Sequence, residues 1–201
     1  MDIIGKILEK PRLIRSYYYS LNLLLVIKAA ERLYSEGKKP CIINIDKIKW
    51  EFYPYDVNFK QICEEDSENI VFEAEKVSEI PLKFRLVTTT KNFNLDCEKT
   101  TIEKIGINLY KMILDGEPVI FRVENGKLVE RVLNNIEEEI INLLEENGGQ
   151  LSIKEVVDIV SHRLRTSKDN VRNELALLKS IGKIEIEKGV VSLNKYGRLK
   201  G

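Results

Sequence analysis

The sequence is poor in the residues that most often build catalytic and metal sites. Its 201 residues include a single histidine, His162, which the helical pattern places near the end of a helix. One histidine gives no support to a Ser-His-Asp or Cys-His mechanism, or to a metal site with several histidines. Neither GxxxxGK[S/T] nor GxGxxG occurs, so no phosphate-binding loop is recognisable. We therefore expect no enzyme, no cofactor and no bound metal.

Cysteines are few, odd in number and far apart. Cys41, Cys63 and Cys97 include no pair with the close spacing of a zinc knuckle or a redox CxxC motif. No secretory signal is visible at the N-terminus. The sequence therefore predicts three reduced, buried thiols in a cytoplasmic protein.

Long hydrophobic runs and an excess of one charge are also missing. The longest uncharged stretch, 16–27, is shorter than the roughly 20 apolar residues of a membrane-spanning helix, and it contains Ser, Tyr and Asn. It predicts a core helix, so we expect no membrane association. Lys plus Arg and Asp plus Glu both number 32, for a net charge of zero. This balance argues against a protein that binds nucleic acid with its whole surface, but it leaves a local basic face open.

Residues 1–132 mix helical and strand patterns. Helical spacing follows Pro11 up to Gly37, and apolar residues at 102, 105, 109 and 113 predict a second helix over 100–114. Strands are predicted over 41–45, 48–52, 70–75 and 82–88. Asn125-Gly126, between two β-rich runs, predicts a tight hairpin. We predict an α+β protein whose N-terminal domain is mixed α/β, with a largely antiparallel sheet.

Residues 133–201 return to helical patterns with clear start and stop signals. Asn135 is the predicted N-cap of a first helix with an acidic first turn, and Ser152 with Glu155 predicts a capping box that opens a second helix. Thr166 or Ser167 caps a third helix, which Gly182 ends. Two alternating strands with Lys188-Gly189 between them then predict a hairpin. The predicted order is helix, helix, helix, hairpin.

The pattern S-x-x-x-V-R-x-x-L-x-x-L-x-x-x-G-x-I, from Ser167 to Ile184, resembles the third helix and wing entry of winged helix-turn-helix transcription regulators. The resemblance covers about a third of the chain. It implies a domain whose third helix enters the major groove of double-stranded DNA. Members of this superfamily also serve as protein-docking modules, so the resemblance is more specific for fold than for function.

The resemblance places a polar set at the start of the third helix. Asn can pair with adenine and Arg with guanine, whereas Asp169 would repel phosphate. From His162 onward the basic residues exceed the acidic ones by six, while the first helix of the domain is rich in Glu. The predicted DNA-binding residues are Lys168, Asn170, Arg172 and Asn173, with Lys188 at the hairpin tip and Arg163 and Arg165 before the helix.

Two further sets of residues favour ordinary structural roles. Lys47, Lys49, Lys83 and Arg85 could form a second basic face, but sheets often present such residues to water. Tyr17, Tyr18 and Tyr19 could stack on bases, yet consecutive helical residues point in different directions, which favours core packing.

The sequence is compatible with three functions. The first is a DNA-binding transcription regulator whose N-terminal domain dimerises or senses a signal, because one winged helix reads only a short half-site. The second is a non-catalytic subunit of a replication, repair or cell-division assembly that docks a protein partner through its winged helix. The third is a nuclease holding Mg²⁺ with Glu64, Glu65, Asp66 and Glu68, although the sequence favours a solvated loop there.

Overall fold

A computed structural model describes residues 2–194, which form two compact units that divide after Glu130. Both helices and sheets are present, so the protein is α+β. Over the described residues, none of the helices has the length and apolar character needed to span a bilayer. The first unit contains α1 (Ile3–Leu8), β1 (Arg12–Arg15), α2 (Tyr19–Ser35), β2 (Pro40–Ile43), β3 (Glu68–Val71), β4 (Leu86–Thr89), β5 (Glu98–Thr101), β6 (Glu103–Gly106), β7 (Leu109–Leu114), β8 (Glu117–Glu124) and β9 (Lys127–Glu130).

The larger sheet is parallel, which corrects the expectation of a largely antiparallel one. Its five strands have the order β2-β3-β4-β1-β5, and every pair is parallel. The two faces of such a sheet are both buried: Ile14 packs with the α2 side, and Leu13 packs with Val71 and Val87 on the other side. The predicted hairpin at Asn125-Gly126 belongs to a second, antiparallel sheet of order β6-β7-β8-β9.

Several predicted elements differ from the structure. The predicted helix over 100–114 is wrong, since these residues form β5, β6 and β7. Likewise, 48–52 is no strand but includes a short 3₁₀ turn, Trp50–Phe52, and the helix expected after Pro11 begins only at Tyr19 because 12–15 form a strand. The hairpin at Asn125-Gly126 is confirmed, with φ of 48° and 70° at its two turn residues.

Two of the three cysteines are joined, which corrects the expectation of reduced thiols. Cys41 and Cys63 form a disulfide with Cα atoms 4.9 Å apart, and Cys97 is free. The segment before Cys63 returns to β2, because the Ile62 amide donates to the Pro40 carbonyl and the Gln61 side chain bonds the Ile42 backbone. This return brings together two thiols that are distant in sequence.

The second unit has three helices and a three-stranded antiparallel sheet of order β10-β12-β11. The cap of α3 is Asn134 rather than Asn135, while the capping box of Ser152 and Glu155 and the Ser167 cap are confirmed. Strand β10 was not predicted. The elements are α3 (Asn135–Glu146), β10 (Gln150–Ser152), α4 (Ile153–Arg163), α5 (Lys168–Ser180), β11 (Ile184–Glu187) and β12 (Val190–Leu193).

Candidate nucleic-acid interface

Helix α5 has a buried apolar side and an exposed polar side. The Ser167 hydroxyl accepts a hydrogen bond from the Asn170 amide at 3.1 Å and fixes the start of the helix. The residues at positions 171, 175 and 178 are buried, and this helical spacing turns the intervening side chains outward. The exposed residues of the first turns are Lys168, Asp169, Asn170, Arg172 and Asn173.

Two of the basic side chains on α5 are held by carboxylates. Lys168 Nζ lies 2.6 Å from Asp158 Oδ1, and Arg172 Nη1 lies 2.7 Å from Asp169 Oδ1. The hydrogen bond from Lys168 lowers the pKa of Asp158. Exposed pairs of this kind contribute only about 0–1 kcal/mol, so an incoming phosphate can replace the carboxylate.

Arg163 and Arg165 have different surroundings. Arg163 contacts α3, with Nη1 2.7 Å from Glu139 Oε1 and Nη2 3.2 Å from Glu146 Oε2. Arg165 is exposed in the turn between α4 and α5, at a φ of 50°, and it makes no ion pair within residues 2–194. The structure therefore leaves Arg165 free for an external anion and engages Arg163 with the acidic helix.

The turn of the C-terminal hairpin is exposed. Lys188 and Gly189 have φ of 46° and 82° and connect β11 to β12. A cavity of about 370 Å³ lies beside this turn and is bordered by Lys154, Arg172 and Gly189. Lys154 was not among the predicted site residues. The available signal was its position in the first turn of α4, where backbone N–H groups also favour anions.

A buried ionic cluster holds α5 against α3. Glu137 of α3 is fully buried, and its Oε2 lies 2.8 Å from Arg131 Nη1. Arg131 also faces Glu174 of α5, at 3.7 Å, and burial raises the pKa of Glu174. Breaking such a cluster leaves an uncompensated buried charge, so it fixes the position of α5.

The basic and tyrosine residues singled out in the first unit are partly paired or packed and partly exposed. Lys47 pairs with Glu79, and Arg85 pairs with Glu68 at 2.6 Å, which fits the role of surface charges. Lys49 and Lys83 are exposed. Tyr18 and Tyr19 pack against the core, whereas Tyr17 is 70% exposed.

The acidic group at 64–68 is occupied by intramolecular ion pairs. Glu64 and Asp66 bind Lys39, and Glu68 binds Arg85. Over residues 2–194, no three His, Cys, Asp or Glu side chains are grouped closely enough to hold a metal ion.

Comparison with protein-family models, with characterised proteins and with solved structures finds no significant match for this chain. Function is therefore inferred from the geometry of the two units.

Proposed function

We propose that the C-terminal unit is a winged helix that binds double-stranded DNA, and that the protein is a transcription regulator. One observation carries this proposal. The element order α3-β10-α4-α5-β11-β12 sets a helix with outward Lys168, Asn170, Arg172 and Asn173 beside a hairpin whose exposed tip carries Lys188. This arrangement suits a helix that enters the major groove and a hairpin that contacts the DNA backbone.

The outward side chains divide into two chemical groups. Asn170, Asn173 and Arg172 match the edges of adenine and guanine, which Asn and Arg contact with paired hydrogen bonds. Lys154, Lys168 and Lys188 are suited to phosphate, whose contacts set the register of the protein on the duplex. On binding, Lys168 and Arg172 would break their ion pairs with Asp158 and Asp169 and contact DNA instead.

The test is fluorescence anisotropy of the full-length protein with labelled duplex DNA over a salt series. We use a mixed-sequence duplex first, then the sequence that the protein selects from a random pool. Affinity should fall steeply as salt rises, because bound cations release counterions from the duplex. Arg172→Ala and Asn173→Ala should each weaken binding to the selected sequence about tenfold or more.

The matched control for Arg172→Ala is Arg122→Ala in the first unit. Both arginines are more than half exposed and both are paired with a nearby carboxylate, Asp169 or Glu124. Arg122→Ala should leave DNA affinity unchanged. Wild-type affinity in both α5 variants, with circular dichroism showing folded protein, would contradict this assignment of the reading face.

Removal of the carboxylate on α5 should act in the opposite direction. Asp169→Asn releases Arg172 and takes away a negative charge facing phosphate, so DNA affinity should rise roughly two- to fivefold at low salt. Glu124→Gln, which releases Arg122 in the first unit, serves as the control. A decrease in affinity for Asp169→Asn would indicate that Asp169 itself contacts a base.

A second candidate function is protein docking within a larger assembly. It is favoured by the contact of Arg163 with Glu139 and Glu146, which neutralises one predicted DNA-binding residue, and by exposed Glu138 on the same helix. An acidic α3 surface suits a basic partner protein. Absence of DNA binding at low salt, with the protein folded, would select this function over the first.

A further inference from the structure

A cavity of about 390 Å³ lies in the first unit, where β1 and β5 end. Arg15 is the last residue of β1 and Thr101 the last of β5, and the two are register partners. In sheets with parallel strands, ligands commonly bind outside the carboxyl ends of the strands. Arg15 and Thr101 therefore lie at an edge of the sheet where such ligands bind.

Arg15 faces this cavity with an uncompensated charge. Its side chain is half-buried, and its Nε is buried without a hydrogen-bond partner. Within residues 2–194 it makes no ion pair, whereas Arg12 contacts Asp115 at 3.3 Å and Arg85 contacts Glu68 at 2.6 Å. A buried N–H of a charged group without an acceptor costs free energy, and an anion in the cavity would supply that acceptor.

Two lysines add to this charge. Lys99 and Lys111 line the same cavity, and neither makes an ion pair within the described part of the chain. Glu103 is the one carboxylate among the lining residues. It is the register partner of Lys111 but makes no ion pair with it. The lining therefore has a net positive charge, although the whole protein has none.

We propose that this cavity binds a small anionic molecule through a phosphate or carboxylate group. The Arg15 guanidinium supplies a pair of parallel hydrogen bonds, and Lys99 and Lys111 supply the remaining charge. The Thr101 hydroxyl and the Asn92 amide add polar contacts, while Leu13 and Met112 form an apolar wall for the rest of the ligand. The volume lies within the range of about 300–1,000 Å³ that is typical of small-molecule sites.

Binding at this site does not depend on the proposed DNA contact. A role for the ligand as an effector of DNA binding does rest on the proposed function. The two proposals fail separately, since Arg15→Gln should bind DNA with wild-type affinity in the absence of added anion.

The experiment is thermal unfolding of the full-length protein in increasing inorganic phosphate or malonate, with sodium chloride adjusted to hold ionic strength constant. We expect a saturable rise in Tm with at least one of them, because a ligand that binds the folded state stabilises it. A rise with phosphate alone assigns a phosphate group, and a rise with malonate alone assigns a carboxylate. No saturable rise with either anion overturns the proposal.

The variants are Arg15→Gln and Lys111→Gln, each expected to weaken the anion affinity at least tenfold. Lys104→Gln makes the same charge change at an exposed position of β6 outside the cavity, and it should keep wild-type affinity. Equal affinity in Arg15→Gln and wild type would overturn the proposal.

Stability without ligand separates a binding role of Arg15 from a structural one. If the unpaired charge is kept for an anion, Arg15→Gln should unfold at the same or a higher temperature than wild type when no anion is added. A lower Tm of this variant, together with unchanged anion binding, would assign Arg15 to structure alone.

Discussion

Glu73 combines two unfavourable features at one residue. It follows β3 with a φ of 48°, a conformation that costs a residue with a Cβ about 1–2 kcal/mol. Its carboxylate is half-buried, where Oε1 accepts a hydrogen bond from Asn22 Nδ2 at 2.6 Å, and Asn22 itself is fully buried. Burial raises the pKa of Glu73, although the Asn22 hydrogen bond and Lys47 oppose the shift. Strained residues of this kind persist only where the surrounding structure holds them.

The raised pKa of Glu73 predicts a pH-dependent stability difference. Between the unfolded pKa, near 4.5, and the raised folded value, the folded state binds more protons, so this residue's contribution to stability falls as pH rises. Glu73→Gln removes the ionisation and can keep the acceptor for Asn22. We expect its Tm to exceed that of wild type at neutral pH and the difference to shrink towards pH 4. A difference that is constant with pH would contradict this account.

At the residue scale, the helical spacing of apolar residues predicts which side chains are exposed, but it does not predict which residues they pair with. The outward positions of Lys168 and Arg172 follow from helical periodicity and are read directly from the sequence. The contact of Lys168 with Asp158 depends on how α4 packs against α5, and that of Arg163 with Glu139 depends on α3. Nothing in the sequence marks Arg15 as a binding residue, because its cavity is made by strands that are distant in sequence.

At the element scale, two hairpin glycines offer a matched comparison. Gly116 follows Asp115 between β7 and β8, and Gly126 follows Asn125 between β8 and β9, with φ of 86° and 70°. A Cβ at Gly116 would meet nothing within 4 Å, whereas at Gly126 it would lie 2.8 Å from Tyr55 Cδ2. The second turn thus combines a backbone requirement with a close contact to an aromatic ring.

Alanine should therefore cost more at Gly126 than at Gly116. Gly116→Ala adds backbone strain of about 1–2 kcal/mol. Gly126→Ala adds the same strain and must also displace Tyr55, for a further loss of about 1–3 kcal/mol. Urea denaturation of the two variants measures the difference in free energy of unfolding. Equal losses would show that Tyr55 moves without cost.

Elements with local signals are predictable from this sequence, and those that depend on distant pairing are not. The caps of α4 and α5 and the turns at Asn125 and Lys188 lie within a few residues of what they control. In contrast, helical spacing over 102–113 is misleading, since residues 109, 112 and 114 are buried by sheet packing. In this segment, burial against the rest of the sheet outweighs the local preference for a helix.

At the scale of the whole molecule, the disulfide between Cys41 and Cys63 should be a main source of stability. It closes a loop of 22 residues, most of which has no regular secondary structure. Closing a loop of this length reduces the conformational entropy of the unfolded chain, which stabilises the folded state by about 3 kcal/mol. Cys63→Ser should lose about this much in urea denaturation, and wild type should lose a similar amount in reductant.

Cys97→Ser is the control for this comparison, because Cys97 carries a free thiol. Its stability should respond to reductant as wild type does. Insensitivity of the wild-type protein to reductant would contradict a structural role for the disulfide.

The position of β1 has a consequence for the order in which the molecule is made. This strand lies between β4 and β5, which occupy 86–89 and 98–101, so it leaves the ribosome long before either neighbour exists. A nascent chain that stops before residue 98 carries β1 with an open edge, and unpaired edges recruit other chains. The edge of β1 thus stays open to other chains until β5 has been synthesised and has paired with it. The helices of the second unit, in contrast, contact elements that are near them in the chain.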